Sequence, residues 1–237
     1  MKEKPGRWSV LAGTALLSAA GFWLRSRQME TGAVLPLAAV SLLAVALFAA
    51  AAVFSRPRPG YGENFPPSTP AMILLVLAAG SMAASGVYSL MHMEQNEALL
   101  TRIAAALSVV TGLCFVAMAA GQNRQNPTAA AYLLPIVYYV LQMIGNFQVW
   151  NADPILLDYC WRLFAMICSM LAVFFLGGFI FDRGKRQWCI FYSLGGVFFN
   201  AVSLAEGGPA ASLRTAATLL LLLASSWQLL APTQTAE

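Results

Sequence analysis

Apolar runs of about twenty residues recur along this chain, and each is long enough to cross a hydrocarbon core of ~30 Å. The runs show no strand alternation, and a chain in lipid must satisfy its own backbone hydrogen bonds, so they are read as helices. Only 10% of the 237 residues are charged, while 59% are hydrophobic. A soluble domain carries roughly 25% charged residues, so the apolar surface here must face lipid. The expected fold class is all-α: a polytopic transmembrane bundle of about eight helices with no soluble domain. Residues 1–237 are read as a single transmembrane domain.

The expected helices cover 8–24, 33–54, 70–92, 97–120, 127–149, 154–181, 188–205 and 209–231. Met1 to Arg7 followed by an apolar run imitates a signal peptide, with Ser18-Ala19-Ala20 as a tolerable cleavage site. The run continues through Phe22, Trp23 and Leu24, so an uncleaved first helix is expected. Alanine in the second helix permits close packing, as do Gly80, Ser81, Ala84, Ser85 and Gly86 in the third. Thr69-Pro70, Asn126-Pro127, Asp153-Pro154 and the weaker Gly208-Pro209 read as helix starts, since proline fits where amides lack intrahelical acceptors. Pro135 falls inside a helix and should bend it.

Eight crossings put both termini on one side. Lys2, Lys4, Arg7, Arg56, Arg58, Arg124, Arg183, Lys185 and Arg186 then share that side, against Arg25, Arg27, Arg102, Arg162 and Arg214 on the other. This bias favours cytoplasmic termini. A seven-helix count with a different N-terminal arrangement would move Arg25 and Arg27 inside. The net charge of +4 comes without a long basic run, so no nucleic-acid partner is expected. Cys114, Cys160, Cys168 and Cys189 show no C-x-x-C spacing and lie in apolar segments, which argues against a disulfide framework, a zinc site and a thiol-redox motif.

Most of the polar and aromatic residues that a lipid-facing helix does not explain gather around the hinge Asn151–Asp158, between two long apolar segments. Gln142 and Asn146 are one turn apart on one face. Asn200 and Ser203 fall in the outer part of their helix, as do Tyr88, Ser89 and His92. Arg102, Arg162 and Arg214 lie one to three turns into helices entered from outside. The pattern reads as an outward-facing polar vestibule with an uncharged inner floor. Its hypothetical binding residues are Gln142, Asn146, Asn200, Arg162, Arg102, Arg214 and Asp158. The arginines suggest a small anionic solute or a lipid headgroup. Equally, they can snorkel to the interface, Asp158 can pair with Arg162 at i+4, and the amides can simply link helices. Met91-His92-Met93 offers soft ligands for Cu(I), but one triplet at an interface assigns no metal.

No H-E-x-x-H, G-x-S-x-G, P-loop or intramembrane carboxylate pair is present. No catalytic residue or cofactor is therefore assigned. Gly178-Phe179-Ile180-Phe181-Asp182-Arg183-Gly184-Lys185-Arg186 resembles the cytoplasmic loop motif of the major facilitator superfamily, one residue short of it. Asn64-Phe65-Pro66-Pro67, the segment Ala152–Tyr159 and Gly177–Phe181 resemble a family of bacterial polytopic membrane proteins with no assigned activity. That resemblance implies about eight helices in an inner membrane. The best functional reading is a small transporter or substrate-binding membrane subunit. The alternative is a non-transporting partner of other membrane subunits, such as a sensor, immunity or assembly factor. A lipid-modifying enzyme stands third.

Overall fold

The computed structural model describes residues 6–55, 60–93, 99–150 and 156–231, with backbone alone for 148–150 and 156–158. The helices are α1 (Arg7–Thr31), α2 (Leu35–Val53), α3 (Tyr61–Asn64), α4 (Thr69–Met91), α5 (Leu99–Arg124), α6 (Ala129–Trp150), α7 (Leu156–Gly178), α8 (Arg186–Ser203) and α9 (Pro209–Leu229). Single 3₁₀ turns follow α7 and α8. The fold is an all-α polytopic bundle, with no strand among the described residues. Seven helices, α2 and α4 to α9, are long and apolar enough to cross a membrane. The chain is a multi-pass membrane protein.

The eighth long helix, α1, runs beside them from one end of the bundle to the other. Its 25 residues extend about 37 Å at 1.5 Å per residue. At its start, Trp8 meets Trp227 of α9 edge-on, and the Arg7 guanidinium lies 3.6 Å over the Trp227 ring. Near its far end, Arg25 reaches Glu206, just before α9 begins. Hence the start of α1 and the end of α9 share one face of the bundle, called here the terminal end; the other is the hinge end. α1 continues beyond the expected stop at Leu24 because its inward face does: Val10, Thr14, Ser18, Gly21, Arg25 and Gln28 are all buried. Its outward face carries Trp8, Leu16, Trp23 and Met29. This inversion, polar inside and apolar outside, is what lipid selects. Gly32 in the left-handed region (φ 71°) stops the helix and returns its N–H to the Gln28 carbonyl.

α4 to α9 close a ring in which each packs on the next and α9 returns to α4. α1 and α2 pack on α8 from outside. α8 thus has neighbours all round, and every residue from Ser193 to Ser203 is buried. A helix with no lipid face needs small residues, which Gly195, Gly196 and Ala201 supply. Pro70 and Pro209 sit in the first turns of α4 and α9, as expected. Pro127 precedes the start of α6 by two residues instead, and Pro154 lies outside the described residues.

The inner half, read from the sequence as an uncharged floor, holds a polar layer and one buried cation, Arg186. Segment 60–68 folds across the terminal end and covers a polar layer there. Tyr61 Oη lies 3.0 Å from Tyr132 Oη, and Gln125 Nε2 donates to the Phe65 carbonyl at 2.9 Å. Burial pushes the Tyr61 phenol up, an effect its bond to Tyr132 opposes. Gln228 Nε2 donates to the Pro66 carbonyl and to Gln122 Oε1. Phe65 is buried edge-on against Phe179. Arg186 is also buried, and donates to the Leu229 carbonyl. These residues sit at helix ends, where each alone reads as interfacial; only the folded-back loop buries them.

Candidate functional site

α6, α7, α8 and α9 line a cavity toward the hinge end with a volume of about 40 Å³, where about 10–15 Å³ suffices for one water. It is a small pocket rather than a channel. α6 contributes Tyr138, Tyr139, Gln142 and Asn146; α7 contributes Arg162, Ala165, Met166 and Ser169. α8 contributes Asn200 and Ser203, and α9 adds Ala211, Arg214, Thr215 and Thr218. Helical spacing explains the convergence. Tyr138, Gln142 and Asn146 recur every fourth residue, while Arg162, Met166 and Ser169, and likewise Ala211, Thr215 and Thr218, follow at steps of four and then three.

Five residues singled out in the sequence, Gln142, Asn146, Asn200, Arg162 and Arg214, therefore line one cavity. Arg102 does not; it is exposed in the first turn of α5. The side chain of Asp158 lies outside the described residues. His92 is exposed, stacks on Tyr88 at 4.1 Å between ring centres, and lies 3.0 Å from the Tyr88 carbonyl. Among the described residues, no group of three or more His, Cys, Asp or Glu could hold a metal. The four cysteines form no disulfide.

The lining groups divide by whether their hydrogen-bonding capacity is already used. Asn200 Nδ2 donates to Ser169 Oγ at 2.9 Å and to the Gly196 carbonyl at 2.7 Å, tying α8 to α7. Thr218 Oγ1 donates to the Arg214 carbonyl at 3.0 Å. A hydroxyl has one proton, so Tyr139 Oη, also 3.0 Å from Thr218 Oγ1, must be the donor in that pair. Among the described residues, Asn146 Nδ2 reaches only Met166 Sδ, at 3.3 Å, and thioether sulfur is a weak acceptor. These bonds form the floor and walls.

Other lining groups are left over. Tyr138 is fully buried, yet its hydroxyl has no partner among the described residues, and the same holds for the buried Ser203 Oγ. A buried hydroxyl without a partner is costly, so both are groups that a water or a ligand would satisfy. The Arg162 and Arg214 guanidiniums make no hydrogen bond or ion pair with any described residue. No described acid lines the cavity. The nearest described carboxylate is that of Glu206, close enough to Arg162 to influence it, as are Arg214 and Arg25. Glu206 is already engaged, with Arg25 Nε 2.6 Å from Glu206 Oε1. Among the described residues, three arginines thus gather about one carboxylate in an apolar bundle.

Tyr138 and Tyr139 lie on the apolar side of Gln142, and their aromatic bulk closes the pocket toward the middle of the bundle. Ser169 and Thr218 are the lining residues that sequence reasoning missed. Their signal is faint: Ser169 falls seven residues after Arg162 and Thr218 four after Arg214, each on its arginine's face. Searched against family models, characterised proteins and solved structures, the chain matches none.

Proposed function

We propose that this protein is a small transporter, or the substrate-binding membrane subunit of one, and that its solute carries a negative charge. What supports the reading is the unused capacity of one cavity: two guanidiniums and two buried hydroxyls with no partner among the described residues, and no described acid among them. Groups of this kind are donors, and an anion is what they jointly suit. Two guanidiniums in a low-dielectric site repel each other unless an anion lies between them. The small volume favours a solute of a few heavy atoms, such as a carboxylate or a phosphate.

The cavity is placed on the extracytoplasmic side of a bacterial inner membrane, with both termini cytoplasmic. The support is the bias of nine basic residues to five in the sequence. Cysteines introduced at 94–97 and 151–153 should then react with membrane-impermeant reagents added to intact cells. Cysteines at 56–64 and 183–187 should react only after lysis. The opposite pattern would invert the orientation and turn the pocket toward the cytoplasm.

Binding is tested on purified protein by thermal unfolding with inorganic phosphate and small carboxylates. A ligand at a hundred times its Kd should stabilise by about 2.7 kcal/mol. Arg162→Gln and Arg214→Gln should each weaken the same anion about ten- to hundredfold, as expected for charge-assisted hydrogen bonds of 1.5–3 kcal/mol. The alternative, a non-transporting partner of other membrane subunits, draws on the bonds that Asn200 and Tyr139 spend between helices. Additive stability losses from the two substitutions, with no anion response in the parent protein, would favour it and discard the site.

A further inference from the structure

A second concavity lies at the terminal end, on the opposite side of α6 and α7 from the polar cavity. The two helices line an open groove there of about 670 Å³. Leu133 and Ile136 of α6 form one wall, and Phe174, Phe175 and Phe181 form the other. Gly177 and Gly178 bring no side chains to it, which keeps the groove deep where α7 ends. Leu133, Phe174 and Phe181 are exposed, so the groove faces what surrounds the bundle. Its rim carries Asp182, Arg183 and Lys185, just past the last turn of α7. All three are exposed.

We infer that this groove is a binding site for an anionic phospholipid, with acyl chain between Leu133 and Phe174 and phosphate against Arg183 and Lys185. Depth and charge agree. The aromatic and aliphatic walls belong to segments apolar enough to lie in hydrocarbon, whereas the two cations stand where those segments end, at headgroup level. Asp182 leaves the rim with two cations to one anion. Arg186, the next cation in sequence, is turned into the bundle toward the Leu229 carbonyl and does not compete. A zwitterionic lipid would fill the apolar part equally well but gain little from the rim. The preference should therefore reside in the two exposed cations and the occupancy in the apolar walls. This site is independent of the polar cavity and holds whether or not that cavity takes an anion.

The test is lipid retention, measured by native mass spectrometry of protein released from bilayers of phosphatidylglycerol and phosphatidylcholine in equal parts with matched chains. The parent protein should retain phosphatidylglycerol preferentially, by about fivefold per basic residue engaged. The double variant Arg183→Gln/Lys185→Gln should keep bound lipid and lose the preference. Leu133→Trp, which fills the groove from an exposed position, should lower retention of both lipids. Equal retention of the two lipids by the parent, or an unchanged preference in the double variant, overturns the proposal. So does wild-type retention by Leu133→Trp. A dimer released without lipid would assign the groove to a second copy of this chain and overturn it too.

Discussion

Replacing Glu206 by glutamine is expected to destabilise the protein by about 3–5 kcal/mol, the usual cost of removing one partner from a buried ion pair. Arg25 is only 3% exposed, and Glu206 11%. The arginine enters on the inward face of α1, whose outward face is apolar, so it cannot swing to water without unpacking the helix. Removing the carboxylate leaves that cation buried, near two others. The double variant Arg25→Met/Glu206→Leu removes both charges and should recover most of the loss, because apolar groups of similar volume often replace a buried pair at little cost. Thermal unfolding of the three purified proteins measures this. Comparable losses from the single and double variants would mean that packing, and not the pair, holds α1. The anion response offers a second readout. With Glu206 neutralised, Arg162 loses the described carboxylate that acts on it, so an anion in the cavity should bind more tightly even as the fold weakens. A purely structural role for the glutamate predicts no such gain.

Much of this architecture was legible for one reason: a helix in lipid needs about twenty apolar residues, and such runs stand out in sequence. The proline and glycine signals fixed some ends well, as at Pro70 and Pro209. Others were off by a few residues, as at Pro127, two residues before α6 begins. Gln142, Asn146, Asn200, Arg162 and Arg214 could be singled out because polar side chains are expensive in a bilayer. Their grouping followed from depth alone. Depth could not separate Arg102 from the other arginines, because it says nothing about azimuth, and α5 turns that residue outward. Nor could sequence show that α8 is buried on every side, since composition does not reveal how many neighbours a helix has. The partner of Arg25 lies 181 residues away, joined only when the ring of α4 to α9 seats α1 against α8. The folded-back 60–68 segment escaped for the same reason.

Substituting Gly112 should test how tightly that ring is closed. A Cβ there would lie 2.9 Å from the Ala79 carbonyl oxygen and 3.0 Å from the Ala83 nitrogen, both backbone atoms of α4. Gly86 faces the other way: its Cβ would stand 2.8 Å from the Ala105 carbonyl oxygen and 3.0 Å from the Val109 nitrogen of α5. Between them, Ser108 Oγ donates to the Met82 carbonyl at 3.0 Å. The two helices touch backbone to backbone through reciprocal glycines, the close approach that small residues permit in membranes. Backbone cannot rotate aside as a side chain can. Gly112→Ala should therefore cost about 1–3 kcal/mol by overpacking despite alanine's better helix propensity, and Gly112→Leu should cost more. Gly80 is the internal control on the same pair of helices. Nothing lies within 4 Å of its Cβ position, so Gly80→Ala should be neutral or stabilise by about 0.5–1 kcal/mol. If α4 moves off α5, it strains its bond to α9, where Ser85 Oγ donates to the Ala210 carbonyl at 2.8 Å, one turn before Arg214. Anion binding should then weaken in Gly112→Ala without any change in the cavity's own residues. Equal melting temperatures for the alanine variants at 80 and 112 would show that the helices have room to spare. The close packing would then not be what sets the position of Arg214.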